Sequence, residues 1–335
     1  MKSFSEYMNE WLYGPDGYYA RYKAIGKEGD FFTAVSTSRF FGATIAHYMI
    51  GMIDKGVLSP DATLVEIGAH RGYLLADMIR WIAHESPELL ETMRFVIVER
   101  FAALQSIQKE YFHTQFGEAI PLEHVTDPRL IGAKEAFVVA NEIFDAFGCD
   151  LLYKGKTALV DEAHKIRFEG EDEQVLAIAE RYGRIKGEIA RGYESFAAGL
   201  FEGAKKMLFV TFDYGEKEPR DDFSIRIYKG HEVHPLFEEG LDLREYFGQS
   251  DITYDVHFQH LFDAFESAGF TKYAYKTQLR ALTEMGLPDL LQQLADRGDQ
   301  ALYLRELNKV KTLIDPQVMG ERFKMVEFRK NIEIE

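Results

Sequence analysis

Apolar residues along this chain follow two rhythms, one spaced by three and four positions and one of short unbroken runs. The first rhythm opens the chain. Phe4, Tyr7, Met8, Trp11 and Leu12 fall at i, i+3, i+4, i+7 and i+8, which predicts an amphipathic helix over 3–13, and Ser3 with Glu6 supplies a capping box. A second helix is predicted over about 37–55, with Phe40, Phe41, Ile45, Tyr48 and Met52 on one face and small Gly42, Ala43 and Ala46 permitting close packing. Between them, residues 25–33 are rich in glycine and aromatics and have no period, which predicts an ordered loop.

From about residue 62 the second rhythm enters. Unbroken apolar runs at about 62–67, 94–98 and 135–140, with a shorter one near 122–125, alternate with periodic stretches at about 72–84 and 101–112. Strands alternating with helices imply right-handed crossovers and a parallel sheet, so the predicted class is α/β. Residues 141–147 read as a turn into a helix. Short antiparallel strands near 151–153, 157–160 and 166–168, then helices near 172–182 and 188–203, read as an insertion. The apolar run inside 207–215 predicts a strand buried on both faces. A loop-rich stretch over 216–256 leads to a helix at 257–268, a strand at 270–276, helices over 277–313 broken near 286–288 and 297–299, and a closing strand within 319–328.

Composition narrows the function. The chain has 335 residues, 46% hydrophobic and 28% charged, which argues against disorder. A formal net charge of −16 argues against binding a nucleic-acid backbone and suits either plain solubility, the simpler reading, or a partner that presents arginine or lysine. Cys149 is the single cysteine, so no disulfide framework or Cys-based zinc site can form within the chain. Glu6, Glu10 and Trp11 stand where a signal peptide would carry an apolar core, and no apolar run approaches the ~20 residues of a membrane span. These features lead to the expectation of a cytoplasmic protein without membrane insertion. His231, His234 and His257 are not spaced as a metal site, and no metal is expected.

Candidate chemistry gathers at predicted strand ends, where open α/β sheets bind nucleotide-like ligands. The first strand leads into Glu66-x-Gly68-x-His70-x-Gly72, whose glycines let a ligand approach the backbone. The spacing is similar to the acid-x-Gly-x-Gly-x-Gly loop of S-adenosylmethionine (SAM) methyltransferases, with His70 in place of the middle glycine. It lacks the Gly-x-Gly-x-x-Gly of a nicotinamide dehydrogenase. Glu66, Gly68, Ala69 and Gly72 are the candidate cofactor loop. Glu99 ends the second strand, where an acid accepts hydrogen bonds from ribose hydroxyls. Asn141, Glu142 and Asp145 follow the fourth strand. On a helix Glu142 and Asp145 would share a face, able to hold a guanidinium, although Asn141 is equally a good helix N-cap. Asp213 and Tyr214 end the fifth strand, and Asp30 with Thr33 could cover the cofactor as a lid.

Blocks spread along the chain carry a resemblance. They include Gly29-Asp-Phe-Phe-Thr33, Glu66-Ile-Gly-Ala with Arg71-Gly-Tyr-Leu74, Asn141-Glu-Ile-Phe-Asp-Ala146, Asp213-Tyr-Gly215, Arg226-x-Tyr-x-x-His231, Asp251-Ile-Thr253 and Met319-Gly-x-x-Phe-Lys324. Through them the chain resembles the MidA-like methyltransferases, relatives of the mitochondrial complex I assembly arginine methyltransferase. The resemblance implies a class I SAM-methyltransferase fold, Rossmann-like, with a seven-stranded sheet whose last strand is antiparallel. It also implies SAM as cofactor and methyl transfer to an arginine of a partner protein, a respiratory complex I subunit. The family has glycine where this chain has His70. That difference motivates a second reading, a degenerate methyltransferase fold serving as a protein-binding assembly factor. The expected organisation is N-terminal helices and lid loop over 1–60, then a methyltransferase domain over 61–335 with insertions at about 150–205 and 277–320. A homodimer is left open.

Overall fold

The structure is a computed structural model that describes residues 1–20, 33–218 and 220–332. Asp30, and with it most of the expected lid loop, lies outside the described residues. The chain divides into two compact units, one of Met1–Phe32, Ile143–Phe196 and Tyr214–Ala264, the other of Thr33–Glu142, Ala197–Asp213 and Phe265–Glu335.

The second unit is organised on β1 (Thr63–Ile67), β2 (Arg94–Val98), β3 (Leu122–Val125), β4 (Ala133–Asn141), β5 (Ala204–Glu216), β6 (Thr271–Thr277) and β7 (Phe323–Lys330), with the last residues of β5 passing into the first unit. Their order across the sheet is β6-β7-β5-β4-β1-β2-β3. Neighbours from β3 to β5 run parallel, and β7 is antiparallel to β6. These seven make the expected α/β sheet, and an eighth strand of two residues, Val256–His257, pairs in parallel with the end of β5. All five residues of β1 are buried, as are Ala136–Ala140 of β4 and Met207–Tyr214 of β5. A strand covered on both faces needs apolar side chains on both, which is why these segments read as unbroken runs. Each fully buried Leu, Val or Phe contributes about 1.5–3 kcal/mol.

Helix α1 (Arg39–Asp54) packs against α2 (Tyr73–Glu85), the helix that follows β1. Gly42 permits the approach, because a Cβ there would lie 2.9 Å from Asp77 Cβ and 3.1 Å from the Leu74 carbonyl oxygen. Helix α3 (Ala102–Phe116) follows β2 and buries Leu104, Gln108 and Phe112. The C-terminal helices Gln278–Glu284, Leu287–Asp296 and Gln300–Ile314 break where expected, the first break at left-handed Gly286.

The first unit holds a sheet ordered Lys2–Ser3, Lys156–Val160, Cys149–Tyr153, Lys186–Ala190, with Ile166–Gly170 also paired to Lys156–Val160. Helix Phe4–Tyr13 begins at the expected Ser3–Glu6 capping box. Ser5 ties it down through hydrogen bonds to the buried Asp150 carboxylate, and Trp11 Nε1 donates to the Ser250 carbonyl. The expected helix over 188–203 starts later. Lys186–Ala190 is a strand paired with Cys149–Tyr153, and the helix is Tyr193–Glu202. Gly187 and Gly192 take φ of 124° and 92°, so the backbone cannot continue as one helix through them.

Candidate functional site

Sheet order reverses between β1 and β4, and the ends of these strands are where an α/β sheet opens a ligand crevice. From Ile67 the chain turns through Gly68, Ala69, His70 and Arg71 to Gly72, the N-cap of α2. Gly68, His70 and Gly72 take φ of 71°, 47° and 79°. At Gly72 conformation and space both demand glycine, since a Cβ would meet Phe112 Cε2 at 2.8 Å. The Gly72 N–H donates to the Ala69 carbonyl at 2.6 Å and closes the turn. His70 adopts the left-handed conformation despite its Cβ, at a cost of about 1–2 kcal/mol. Glu66 is buried, and its Oε2 accepts the Leu75 N–H at 3.0 Å, tying β1 to the first turn of α2. Burial pushes its carboxyl up to about 8.

Glu99 follows β2 directly. It is buried, burial raises its carboxyl above the ordinary range, and its Oε1 accepts the Phe101 N–H at 2.9 Å. Because β1 and β2 pair in register from Thr63 with Arg94 to Ile67 with Val98, the glycine turn and Glu99 leave from adjacent strand ends. Sequence reasoning missed Gln108, which donates from Nε2 to the His70 carbonyl at 2.8 Å. It sits between Leu104 and Phe112 on the buried face of α3, and a polar side chain within an apolar stripe was the available signal.

At the end of β4, Asn141 Nδ2 donates to Glu142 Oε1 at 2.7 Å, while the buried Asn141 Oδ1 makes no hydrogen bond among the described residues. The expected helix does not start here. Glu142 has φ of 53°, its N–H donates to the Phe212 carbonyl of β5 at 2.8 Å, and only a short 3-10 turn, Phe144–Ala146, follows. Asn141 is therefore not a helix cap, and Glu142 and Asp145 do not share a helix face. Asp213, fully buried on β5, follows Phe212, the residue in register with Asn141. Asp145 and Tyr214 belong to the first unit. Asp145 is buried there, which raises its carboxyl, and the Tyr214 hydroxyl and Arg226 guanidinium act the other way. Arg226 pairs with Asp255 and lies 5.3 Å over the Tyr214 ring. Thr33 caps helix Ala34–Thr37, its Oγ1 accepting the Ser36 N–H, so its side chain serves a helix end.

These features fit a cationic nucleoside such as SAM. The left-handed glycines of the turn before α2 let a ligand approach the backbone, Glu99 offers a carboxylate at the place of a ribose, and Asn141 Oδ1 is a buried acceptor that can take a donor such as an ammonium.

Comparison with known proteins points the same way. Residues 44–276 match the model of a family described as "Putative S-adenosyl-L-methionine-dependent methyltransferase". The chain is similar to protein arginine methyltransferase NDUFAF7, mitochondrial, of Danio rerio, with 26% identity over 96% of this chain and 82% of the relative. The Homo sapiens protein of the same name is 24% identical over 95% of this chain and 78% of its own length. A crystal structure from Burkholderia thailandensis with bound S-adenosyl-homocysteine superposes with a TM-score of 0.82 at 25% identity, covering 99% of this chain and 88% of that one. The relatives are named as enzymes, so the binding-only reading gains no favour. Their mitochondrial names also overturn the expectation of a cytoplasmic protein. One buried free cysteine does not distinguish the cytoplasm from another reducing compartment, which is why that inference failed.

Proposed function

Because the chain belongs to this S-adenosyl-L-methionine-dependent methyltransferase family, we propose that it methylates an arginine side chain of a partner protein. It is an enzyme, and SAM is its cofactor. The observation that carries the arginine reading is the near full-length similarity to proteins named arginine methyltransferases. The finer target, a respiratory complex I subunit, rests on the resemblance to the MidA-like family.

When bound, SAM supplies a methyl group on a sulfonium leaving group, so what the protein must provide is alignment. In this reading Glu66 braces the turn of Gly68, Ala69 and Gly72 by holding the Leu75 N–H, and the turn admits the cofactor close to the backbone. Glu99 accepts from the ribose, and Asn141 Oδ1 accepts from the cofactor's amine. A guanidinium donates only, so its holders must be acceptors, and Glu142, oriented by the Asn141 amide, is one. Asp145 is the proposed proton acceptor, since the attacking nitrogen must lose a proton and burial makes this carboxylate a stronger base than usual.

The direct test incubates the protein with methyl-labelled SAM and candidate complex I subunits, reading methylated arginines by mass spectrometry. The expected result is label on one arginine of one subunit, lost when that arginine becomes lysine. Label on another residue type, or none with SAM demonstrably bound, refutes the arginine reading.

A further inference from the structure

Three phenylalanines gather at the surface of the first unit. The ring centroid of Phe168, on the strand Ile166–Gly170, lies 5.8 Å from that of Phe223 and 6.1 Å from that of Phe237. Those of Phe223 and Phe237 are 4.7 Å apart. Phe237 is 46% exposed and the other two are only partly buried. Rings scattered singly on a surface need no explanation, but a cluster of them marks a place for a partner. The backbone beneath them is pinned. Directly after Phe223, the buried Glu188 carboxylate accepts the Ser224 N–H at 2.8 Å, the Ser224 hydroxyl at 3.1 Å and the Ile225 N–H at 3.0 Å. Directly before Phe237, the Leu236 N–H donates to the Ile225 carbonyl at 3.1 Å. Rings presented by an ordered backbone lose little freedom when something docks on them.

The chain already seats one of its own cations here. Lys186 Nζ lies 5.1 Å from the Phe223 ring centroid and 2.6 Å from the Asp222 carboxylate, so a ring face and an acid share one ammonium. The neighbouring ring is left over. Among the described residues no cation lies over Phe237, and Asp221 and Glu239, within two residues of Phe223 and Phe237, are exposed and make no ion pair. We propose that Phe168, Phe223 and Phe237, with Asp221 and Glu239, form a docking surface for an arginine-bearing segment of the partner protein, made of none of the residues assigned to methyl transfer. This deepens the reading of a protein substrate that presents arginine. A guanidinium lies flat on a ring while its N–H groups reach a carboxylate, which suits arginine better than lysine. A second copy of this chain would bring the same acids on a molecule of net charge −16, so charge opposes self-association through this face.

The test is fluorescence anisotropy of a labelled peptide alternating arginine and glycine, beside its lysine and glutamine counterparts, with S-adenosylhomocysteine saturating. The proteins are the unaltered chain, Phe237→Leu, and the double variant Asp221→Asn with Glu239→Gln. Phe237→Leu keeps apolar bulk and removes the ring face, so a loss there reads recognition of a cation. The expected result is tightest binding of the arginine peptide, none of the glutamine peptide, and about a threefold affinity loss in each variant. The altered side chains are exposed, and an unchanged affinity for S-adenosylhomocysteine reports that the variants are folded. Unchanged affinity for the arginine peptide in either variant, or equal binding of the glutamine peptide, overturns the proposal. So does a dimer seen by sedimentation and abolished by Phe237→Asp, since the face would then hold a second copy. A partner arginine methylated with the same KM by all three proteins removes the docking surface alone. Peptide binding that depends on these residues, with no arginine methylated in any partner, removes the methylation reading and leaves the docking surface standing.

Discussion

Glu66 is the residue whose surroundings most alter its chemistry. Its carboxyl is pushed up from 4.5 to about 8 by burial. The sign follows from proton counting. Between those values the folded state keeps a proton that the unfolded state has released, so stability falls as pH rises from about 4.5 to about 8. A glutamine at this position would not titrate and would still offer an oxygen to the Leu75 N–H. The Tm of Glu66→Gln should therefore gain on the unaltered protein as pH rises, and parallel Tm curves against pH would show that Glu66 does not titrate in this range. Asp145 gives a kinetic counterpart. If it accepts the substrate proton, the rate should fall on acidification with a midpoint above the ordinary carboxylate range, and Asp145→Asn should abolish that limb along with most of the activity. A variant that keeps the limb assigns the proton elsewhere. At this scale the sequence named the acids but not their environments. Glu66 and Glu99 could be placed at strand ends by pattern, whereas Gln108 and His124 matter through contacts between α3, β3 and the turn after β1 that no local spacing encodes.

Among the elements, the join between β1 and α2 is the most constrained. Gly72 combines a left-handed backbone with a Cβ direction blocked by Phe112. Gly72→Ala should cost about 2–3 kcal/mol in stability and weaken S-adenosylhomocysteine binding at least tenfold, read by thermal unfolding and calorimetry. An unchanged Tm would mean that α3 yields freely and the turn is looser than its geometry suggests. Elements were legible where one physical requirement dominated. The strands β1, β2, β4 and β5 are buried on both faces over most of their length and so are mainly apolar there, and Gly286 interrupts the C-terminal helices as glycine does. They were not legible where a distant partner decided. Lys186–Ala190 becomes a strand because Cys149–Tyr153 offers it a ladder, and the segment after Asn141 fails to coil because the Glu142 N–H is taken by β5.

For the whole molecule, charge is the property that sequence alone settles. A net charge of −16 favours approach of a cationic substrate and is screened by salt. If the substrate is an arginine-bearing protein, kcat/KM should fall several-fold between about 0.05 and about 0.5 M salt, from initial rates at saturating SAM. A flat dependence would remove long-range attraction from the account. No helix among the described residues is long and apolar enough to cross a membrane.

The division into two units has a consequence for how the protein comes into being. The polypeptide passes from one unit to the other at 32/33, 142/143, 196/197, 213/214 and 264/265. Neither unit is a contiguous stretch, so a ribosome emitting the chain from its N-terminus cannot finish the first before residue 264 or the second before the closing strand β7 has emerged. Vectorial folding, one unit completed before the next begins, is closed to this topology. A stall or premature stop between residues 265 and 322 would release a chain whose first unit is fully synthesised but whose methyltransferase sheet lacks β7, the strand placed between β5 and β6.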